Sequence, residues 1–216
     1  EWGVSLEQAS EVIPLIGGKK YYLTARMQQT TGQGHLAVAW SGPGIPQQVI
    51  QGTALQFYND PTAGVTLDLW PNPKKPADEL IKANDPAPQS QLLTSFFTKG
   101  LGNNYFARYQ ARLIPEKTGP YTFWIASGAA SELRFSTDET PEKKRKIATV
   151  PGYSEVNRWD KFASMKSETV ELVAGKRYYI EVVMKHGGDF DNLSVAWLPP
   201  GGIRGVIPGR NLEAIR

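Results

Sequence analysis

Apolar and polar residues alternate with a period of two along several short stretches of the chain. Between residues 106 and 113, the apolar positions Ala107, Tyr109, Ala111 and Leu113 share one side, and polar residues dominate the other. This spacing predicts a β-strand with one buried face, because successive side chains of a strand point to opposite faces of a sheet. The same pattern predicts further strands at residues 121–125, 132–136, 177–184 and 193–197.

Turn-forming residues separate these stretches, and patterns with the period of a helix are almost absent. Residues 117–120, Lys-Thr-Gly-Pro, stand between two of the predicted strands, and residues 189–192 lie in a hairpin loop between the last two. Only residues 77–83, which follow Pro76, suit a short helix. Short strands punctuated by turns predict an all-β fold, built as an antiparallel β-sandwich.

The chain also contains an internal repeat, which appears when the sequence is shifted by 157 positions against itself. Without any gap, Trp2 then falls on Trp159, Tyr21-Tyr22 on Tyr178-Tyr179, and Val38-Ala39-Trp40 on Val195-Ala196-Trp197. The repeat predicts that residues 1–58 are the C-terminal portion of a first module, 59–62 a short linker, and 63–216 a complete second module. We therefore expect that Glu1 is not a natural start, or that a neighbouring chain supplies the strands that the first module lacks.

Composition and charge exclude several classes of site. The chain of 216 residues has no Cys, which rules out disulfides, thiol nucleophiles and Cys-ligated zinc. The net charge is only +3, and its basic excess is local, in the run 143–146, which we expect to be a solvated loop. Basic residues do not alternate with aromatics along one face, so no nucleic-acid partner is predicted. No apolar run approaches the roughly 20 residues of a membrane helix, so no membrane insertion is predicted.

Several motifs together resemble one known family. They are residues 102–105 (Gly-Asn-Asn-Tyr), 118–127 (Thr-Gly-Pro-Tyr-Thr-Phe-Trp-Ile-Ala-Ser), 159–161 (Trp-Asp-Lys) and 174–181 (Ala-Gly-Lys-Arg-Tyr-Tyr-Ile-Glu). These residues resemble the protective-antigen-type domain, a β-sandwich of bacterial toxins, glycosidases, adhesins and yeast flocculins. The resemblance implies a sugar-binding domain, because several branches of the family bind sugars, often through calcium.

The resemblance also directs attention to two loops. In the sugar-binding branches an adjacent pair of aspartates holds the calcium, but the matching positions here are Gly128 and Ala129. We therefore expect the usual calcium site to be disabled, and we predict no cofactor. The family's second binding loop resembles residues 187–192, where Asp189, Asp191 and Asn192 could form an oxygen-rich metal cluster. Alternatively, these residues only satisfy the backbone groups of a polar hairpin.

Aromatic residues complete the predicted ligand-binding set. Phe190 could stack on a sugar ring, and Trp124 could do so if its face is exposed, whereas Trp159 and Trp197 are expected to pack in the core or at a sheet edge. The predicted ligand-binding residues are Trp124, Ser127, Asp189, Phe190, Asp191 and Asn192. No catalytic residue is predicted, because neither His35 nor His186 has partners at a spacing that suggests a triad, and no carboxylate pair stands out.

These observations predict a protein without enzymatic activity. We expect a carbohydrate-binding module, part of a larger secreted or cell-surface protein of bacterial type, whose partner is a polysaccharide or glycan. The alternative is a structural or adhesive array of tandem modules, in which each module contacts its neighbours or other chains and binds no sugar. Exposed aromatic residues at one end of the sandwich would favour the first hypothesis, and a flat apolar contact surface would favour the second.

Overall fold

The computed structural model describes residues 8–21, 23, 25, 27, 35–55, 62–75, 79–80, 87–188 and 190–215. The chain divides into two compact units, Glu1–Asn59 and Asp60–Arg216. The division falls at the beginning of the linker predicted from the repeat. Whether the first unit is part of another module stays a prediction.

Strands dominate the described part of the chain. They are β1 (Ala39–Gly42), β2 (Ile45–Val49), β3 (Val65–Pro71), β4 (Gln89–Leu93), β5 (Phe97–Lys99), β6 (Tyr105–Leu113), β7 (Gly119–Ser127), β8 (Ser131–Phe135), β9 (Arg145–Val150), β10 (Val170–Leu172), β11 (Tyr178–His186), β12 (Asn192–Leu198), β13 (Gly205–Val206) and β14 (Leu212–Ala214). Short 3₁₀-helices span Gly52–Ala54, Ala163–Met165 and Gly209–Asn211. Of the predicted helix at 77–83, only Glu79 and Leu80 are described, and both are helical.

The second unit contains two antiparallel sheets. The seven-stranded sheet has the order β4-β3-β6-β11-β8-β9, with β14 also paired to β6. The five-stranded sheet has the order β10-β7-β12-β13, with β5 also paired to β12. The five strands predicted from alternation correspond to β6, β7, β8, β11 and β12. The prediction of an all-β, antiparallel fold is confirmed.

The hydrophobic core lies between the two sheets. It includes the inward residues of β6, which are Ala107, Tyr109, Ala111 and Leu113, as their spacing predicted. Rings from opposite sheets meet at Phe123 and Phe135, whose centroids are 5.3 Å apart. The buried Tyr109 hydroxyl forms a hydrogen bond with Thr98 Oγ1 at 2.9 Å, so this polar group has a partner inside the core. Trp197 is a core residue, which confirms the packing role predicted for it.

The outward face of β11 is buried as well, which the alternation alone did not predict. Val183 joins Trp70 and Phe106 in a second apolar cluster on the outer side of the seven-stranded sheet. Glu181 is fully buried and accepts hydrogen bonds from Arg134, Lys144 and Tyr179. A buried carboxylate needs such partners, because an unpaired charge out of water is costly.

The basic run at 143–146 is exposed at Lys143, Arg145 and Lys146, as the sequence predicted, but it is not entirely a loop and Lys144 is partly buried. Lys143 pairs with Asp138 at 2.8 Å, Lys144 pairs with Glu181 at 2.9 Å, and β9 begins at Arg145. Within the run, Lys144 turns toward the outer face of the sheet, where it pairs with the buried Glu181. Local sequence alone does not show this, since Glu181 lies 37 residues further along the chain.

The first unit repeats a hairpin of the second unit with the same pairing. β1 and β2 pair Ala39 with Val49, and β12 and β13 pair Ala196 with Val206. Both residues of the first pair lie 157 positions before their counterparts in the second pair. The repeat in the sequence is therefore also a repeat of local backbone structure.

Burial, in contrast, is not repeated. Tyr21 accepts a hydrogen bond from the Ile16 N–H at 2.9 Å, just as Tyr178 accepts one from the Val173 N–H at 3.0 Å. Yet Tyr21 is 45% exposed, whereas Tyr178 is 4% exposed. The same contrast separates Leu23 from Ile180, Met27 from Met184, Leu36 from Leu193, and Leu55 from Leu212. In the described part of the first unit, positions that form core in the second unit are thus left uncovered.

An ion pair attaches β14 to the seven-stranded sheet. It should make the free energy of unfolding depend on pH. Glu213 of β14 accepts hydrogen bonds from Arg177 at 2.8 Å and from Arg112 at 3.0 Å. The hydrogen bond from Arg177 is the largest cause of the lowered pKa of Glu213, and Arg112 adds to it. A carboxylate with a lowered pKa stabilises the folded state above its ordinary pKa, near 4.5, and this contribution is lost as the pH falls through the lowered value.

We therefore expect Glu213→Gln to lower the free energy of unfolding at pH 7 by about 0.5–1 kcal/mol, the usual range for partly exposed ion pairs. The difference from wild type should shrink as the pH falls toward about 3. Urea unfolding across this pH range measures it, with the exposed strand residue Glu171→Gln as the control. An equal loss at pH 3 and pH 7 would contradict the ionic explanation.

Candidate functional site

Four loops meet at one end of the second unit. They are residues 100–104 before β6, 128–130 between β7 and β8, 151–158 after β9, and 187–191 between β11 and β12. The Ser154 N–H donates to the Ser127 carbonyl at 2.8 Å, and Asn192 Nδ2 donates to the Ser154 carbonyl at 3.2 Å. These bonds attach the 151–158 loop to the end of β7 and to the beginning of β12. This loop end contains most of the residues that the sequence predicted as a site.

Asp191 lies at this loop end, where its side chain binds backbone N–H groups of the neighbouring 100–104 loop. Its carboxylate accepts hydrogen bonds from the backbone N–H groups of Leu101 and Gly102, and from the Tyr105 hydroxyl at 2.6 Å. Burial is the largest cause of the raised pKa of Tyr105, so its hydroxyl stays protonated and donates. The carboxylate of Asp191 is therefore engaged by the 100–104 loop and by Tyr105. The predicted oxygen cluster of Asp189, Asp191 and Asn192 stays a prediction, because Asp189 lies outside the described residues.

Asn192 and His186 are buried beneath the hairpin. Asn192 Oδ1 and both ring nitrogens of His186 have no hydrogen-bond partner among the described residues. The His186 ring stacks on Tyr105 with centroids 5.1 Å apart. His186 thus packs as an aromatic ring, and no described residue completes a triad with it. Asp189 lies outside the described residues.

The place of the family's aspartate pair is closed by the hairpin itself. A Cβ atom built on Gly128 would lie 1.6 Å from the Phe190 carbonyl oxygen and 3.1 Å from the Asn192 nitrogen. The Gly128 N–H donates to the Asn192 carbonyl at 2.8 Å, so the two loops are in direct contact. Ala129, the other position of the pair, packs against the hydrophobic core. These residues do not fit a calcium ion in the family's usual position, because they offer no carboxylate there and no space for one.

Two other predicted residues are inaccessible to a ligand. Ser127 is fully buried, and its Oγ lies 2.6 Å from the Ala129 carbonyl and 2.7 Å from Ser131 Oγ. Trp124 is only 8% exposed, with the cationic groups of Lys166 and Arg204 above its ring at 5.8 and 5.3 Å. The condition set for a stacking role of Trp124, an exposed ring face, is therefore not met, because segments distant in sequence cover the ring. Ser127 pairs with Leu193 at the loop end of β12, whereas Trp124 pairs with Ala196, three residues further along that strand. Trp124 therefore lies away from the loop end.

Phe190 is the predicted residue that does reach solvent. It is 69% exposed, and its ring centroid lies 5.7 Å from that of Tyr153, which is 37% exposed. Lys161 Nζ lies 4.5 Å from the Tyr153 ring centroid and 3.6 Å from Glu155 Oε1. We call the four residues Tyr153, Glu155, Lys161 and Phe190 the aromatic patch. Sequence reasoning missed Tyr153, although a tyrosine directly after Pro151-Gly152 indicates an aromatic side chain displayed on a turn.

The aromatic patch combines a stacking surface with charged hydrogen-bonding groups. Exposed aromatic rings offer an apolar face to a ligand that has apolar C–H groups, and sugars have such groups on their ring faces. The pKa of Glu155 is lowered, first by a hydrogen bond from its own backbone and further by Lys161 and Arg158. Its carboxylate is therefore ionised at neutral pH and can accept from a hydroxyl, while Lys161 can donate. Within the described residues, no group of three or more His, Cys, Asp or Glu side chains could hold a metal ion.

The family model of the PA14 domain matches residues 61–209, and the chain belongs to this family. The match confirms the resemblance to the protective-antigen-type domain. The family domain accounts for the second unit with its loop end. No helix in the described part of the chain is long and apolar enough to cross a membrane.

Curated relatives match only a part of this chain and a small part of their own length. The chain is 30% identical over 117 residues to N-acetyl-beta-glucosaminyl-glycoprotein 4-beta-N-acetylgalactosaminyltransferase 1 of Mus musculus, which covers 52% of this chain and 11% of that protein. It is 29% identical over 108 residues to Fibrocystin of Mus musculus, covering 46% of this chain and 3% of that protein. The chain thus spans about a tenth or less of the length of these relatives.

Solved structures share the fold. A PA14 sugar-binding domain from an RTX adhesin aligns with a TM-score of 0.53 at 10% identity, covering 71% of this chain and 99% of that chain. The Epithelial Adhesin 6 A domain of Candida glabrata, solved in complex with Galb1-3GlcNAc, aligns with a TM-score of 0.52 at 13% identity, covering 73% of this chain and 89% of that chain. At these identities the likeness shows the fold alone.

The contact between Gly128 and the hairpin gives a direct test of this loop end. We expect Gly128→Ala to destabilise the fold by about 1–3 kcal/mol, because the added methyl group must displace the Phe190 carbonyl. The matched control is Gly152→Ala, where an added Cβ meets nothing within 4 Å. Urea unfolding of both variants measures the difference. Equal stability of the two variants would mean that the hairpin does not lie over Gly128.

Proposed function

We propose that this chain is a non-catalytic carbohydrate-binding protein that contacts its glycan with the aromatic patch, without calcium in the family's usual position. The observation that carries the proposal is the exposed pair of rings, Phe190 and Tyr153, at the loop end of the second unit. Large aromatic side chains are ordinarily buried, so two exposed and neighbouring rings on one surface suit a binding role.

The interaction follows from the chemistry of the aromatic patch. A sugar ring would place its C–H groups on the Phe190 and Tyr153 faces, and its hydroxyls would meet Lys161 and Glu155. Those two side chains form an ion pair at 3.6 Å, which is longer than a hydrogen bond, so both keep hydrogen-bonding capacity for a ligand. A shallow and partly charged surface of this kind favours weak binding that gains strength through repeated contacts along a polysaccharide.

We propose a secreted or cell-surface location within a larger protein, in which this domain brings the whole protein to a glycan. The names of similar structures support this proposal, since they include adhesin domains, some solved with glycans. The proposal assigns no catalysis to the domain. His186 is buried without hydrogen-bond partners among the described residues, and the carboxylate of Asp191 is engaged by backbone, so neither supports acid–base chemistry.

A tandem-module array is the second candidate function, and one observation favours it. Residues of the first unit that match core positions of the second are exposed, among them Tyr21, Met27 and Leu36. We propose that residues 1–58 are the C-terminal portion of a preceding module whose remaining strands would cover these positions. In an array of this kind the domain would serve as a spacer or as a contact to other chains.

Replacing the two rings tests the carbohydrate-binding function. A glycan array and polysaccharide affinity gels on the full chain should show binding that Phe190→Ala and Tyr153→Ala each weaken by about tenfold, because each removes a stacking face. Ile203→Ala is the matched control, since it truncates another exposed apolar side chain. Binding should be equal in calcium and in chelator.

Each other outcome contradicts a specific part of the proposal. Loss of binding in chelator would mean that a metal site operates in this domain. Binding that survives both ring variants would place the glycan elsewhere on the protein. Absence of binding to any glycan under either condition would leave the tandem array as the better explanation.

A further inference from the structure

Two exposed cations lie on the outer face of the five-stranded sheet, outside the aromatic patch. β7 turns Trp124 to this face, because the residues on either side of it point into the core. The guanidinium carbon of Arg204 lies 5.3 Å from the Trp124 ring centroid and 5.4 Å from that of Trp159. Lys166 Nζ lies 5.8 Å from the Trp124 ring centroid. We call Lys166 and Arg204 the outer cations.

Two indole rings restrict the position of the Arg204 side chain. Both distances fall within the range of about 6 Å in which a cation is attracted to an aromatic ring. Trp159 is itself held to the sheet, because its Nε1–H donates to Ser194 Oγ at 3.0 Å and Ser194 is a buried residue of β12. An exposed arginine ordinarily loses side-chain freedom when it binds a ligand. Here the indole rings have already removed part of that freedom.

The contact with the rings leaves the hydrogen-bond donors of Arg204 available, because a cation–π contact uses none of them. Arg108, Arg112 and Arg134 each form an ion pair with a carboxylate. Within the described part of the chain, by contrast, the side chains of Arg204 and Lys166 form neither an ion pair nor a hydrogen bond, and both residues are exposed. The outer cations are thus unpaired, and one of them is held in position.

The charged residues nearby do not neutralise the outer cations. In the adjoining segment Arg158 lies 3.8 Å from Asp160, and Lys161 lies 3.6 Å from Glu155, so these four charges balance in pairs. Glu168, on the segment that follows, is exposed and forms no ion pair with either outer cation. The outer cations are therefore an excess of positive charge on this side of the sheet.

The internal repeat indicates that the fold does not require these cations. At the shift of 157 positions, Arg204 falls on Gln47. Lys166 falls on Ala9. The hairpin of β1 and β2 nevertheless has the same pairing as that of β12 and β13. The outer cations are thus a feature of the second unit and not of the repeated hairpin.

The outer cations adjoin the aromatic patch. Trp159, whose ring lies against Arg204, precedes Lys161 of the aromatic patch by two residues. Along β7, Trp124 is three residues from Ser127 at the loop end, which is a distance of roughly 10 Å. An extended polymer can therefore contact both surfaces at the same time.

We propose that Arg204 and Lys166 bind the anionic groups, carboxylate or sulfate, of an acidic polysaccharide whose chain continues over the aromatic patch. The choice of a polysaccharide rests on the proposed function, and the choice of an anion rests on the outer cations. A guanidinium donates two parallel hydrogen bonds to an anion with two oxygens, and the lysine adds a second positive charge. The sugar rings present C–H groups to the exposed aromatic rings, which an acidic polypeptide backbone does not.

Two matched pairs of polymers test the proposal on the full chain at low salt, where exposed charges are least screened. Polygalacturonate is compared with its methyl ester, and dextran sulfate with dextran, so that the members of a pair differ in their anionic groups. Calorimetry measures affinity, and tryptophan fluorescence reports contact, because Trp124 and Trp159 lie against Arg204. The anionic member of at least one pair should bind about tenfold or more tightly, and the pair that responds distinguishes carboxylate from sulfate.

Substitutions locate the anionic groups on the protein. Arg204→Gln should weaken binding of the anionic polymer by about tenfold, because it removes charge-assisted hydrogen bonds. Arg204→Lys should weaken it by roughly threefold or more, since lysine keeps the charge but not the fork, and Lys166→Gln should have an effect of similar size. Arg145→Gln is the matched control, because it removes one charge from an exposed arginine of β9 in the other sheet. It should leave the affinity unchanged.

The outcomes separate this proposal from the proposed function. Phe190→Ala should weaken anionic and neutral polymers alike, whereas Arg204→Gln should leave neutral glycans unaffected. Loss of anionic binding in Arg204→Gln, with no effect of Phe190→Ala, would support the outer cations and contradict the aromatic patch. Binding of neutral and anionic polymers that depends on Phe190 alone would support the aromatic patch and overturn this proposal.

Further outcomes would also overturn it. Equal affinity within both pairs of polymers would exclude a role for the anion, and full binding by Arg204→Gln would exclude this surface. An equal loss in Arg145→Gln would mean that only the net charge matters. Equal affinity for polyglutamate would overturn the saccharide part and leave an acidic polypeptide as the partner. If Arg204→Gln does not fold, Arg204→Lys and Lys166→Gln decide the matter.

Discussion

The pairing of β6 with β11 is the interaction on which the rest of the second unit depends. Nine residue pairs join the two strands, from Tyr105 with His186 to Leu113 with Tyr178. Because side chains alternate along a strand, this ladder places apolar residues on its inner side, where they pack against the five-stranded sheet. The same geometry places Arg112, Tyr179 and Glu181 side by side on the outer face. One backbone ladder therefore determines both the core and the charged outer face of the sheet.

The loop end depends on a different constraint, which is the need to satisfy buried backbone groups. Asp191 accepts from two N–H groups of the 100–104 loop, and the Gly128 N–H donates to the Asn192 carbonyl. These bonds draw the hairpin down onto Gly128, so the space for the family's metal ligands is occupied by protein. The hairpin displays Phe190 beside Tyr153, whose loop is attached to Ser127 and Asn192 by hydrogen bonds. The hairpin that covers Gly128 is thus the same hairpin that carries Phe190 to the aromatic patch.

The strands were predictable because alternation is a local property. Residues 106–113 and 177–184 show inward apolar positions that match the core of the structure. The site was less predictable, because exposure depends on residues from other parts of the chain. Trp124 is covered by Lys166 and Arg204, and Lys144 is drawn out of solvent by Glu181. Phe190 was recognised from its hairpin, whereas its partner Tyr153 comes from another loop, and the two meet only when the sandwich has formed.

The sequence by itself determined the fold class, the family and the internal repeat, since each rests on the order and spacing of residues. It also determined that Gly128 and Ala129 carry no metal-binding side chains. Only the tertiary structure decided which aromatic residues reach solvent, which carboxylates accept hydrogen bonds from backbone N–H groups, and which charged side chains are buried. The physical reason is that burial and hydrogen bonding are set by contacts between segments far apart in the chain, and a single sequence records the segments but not their contacts.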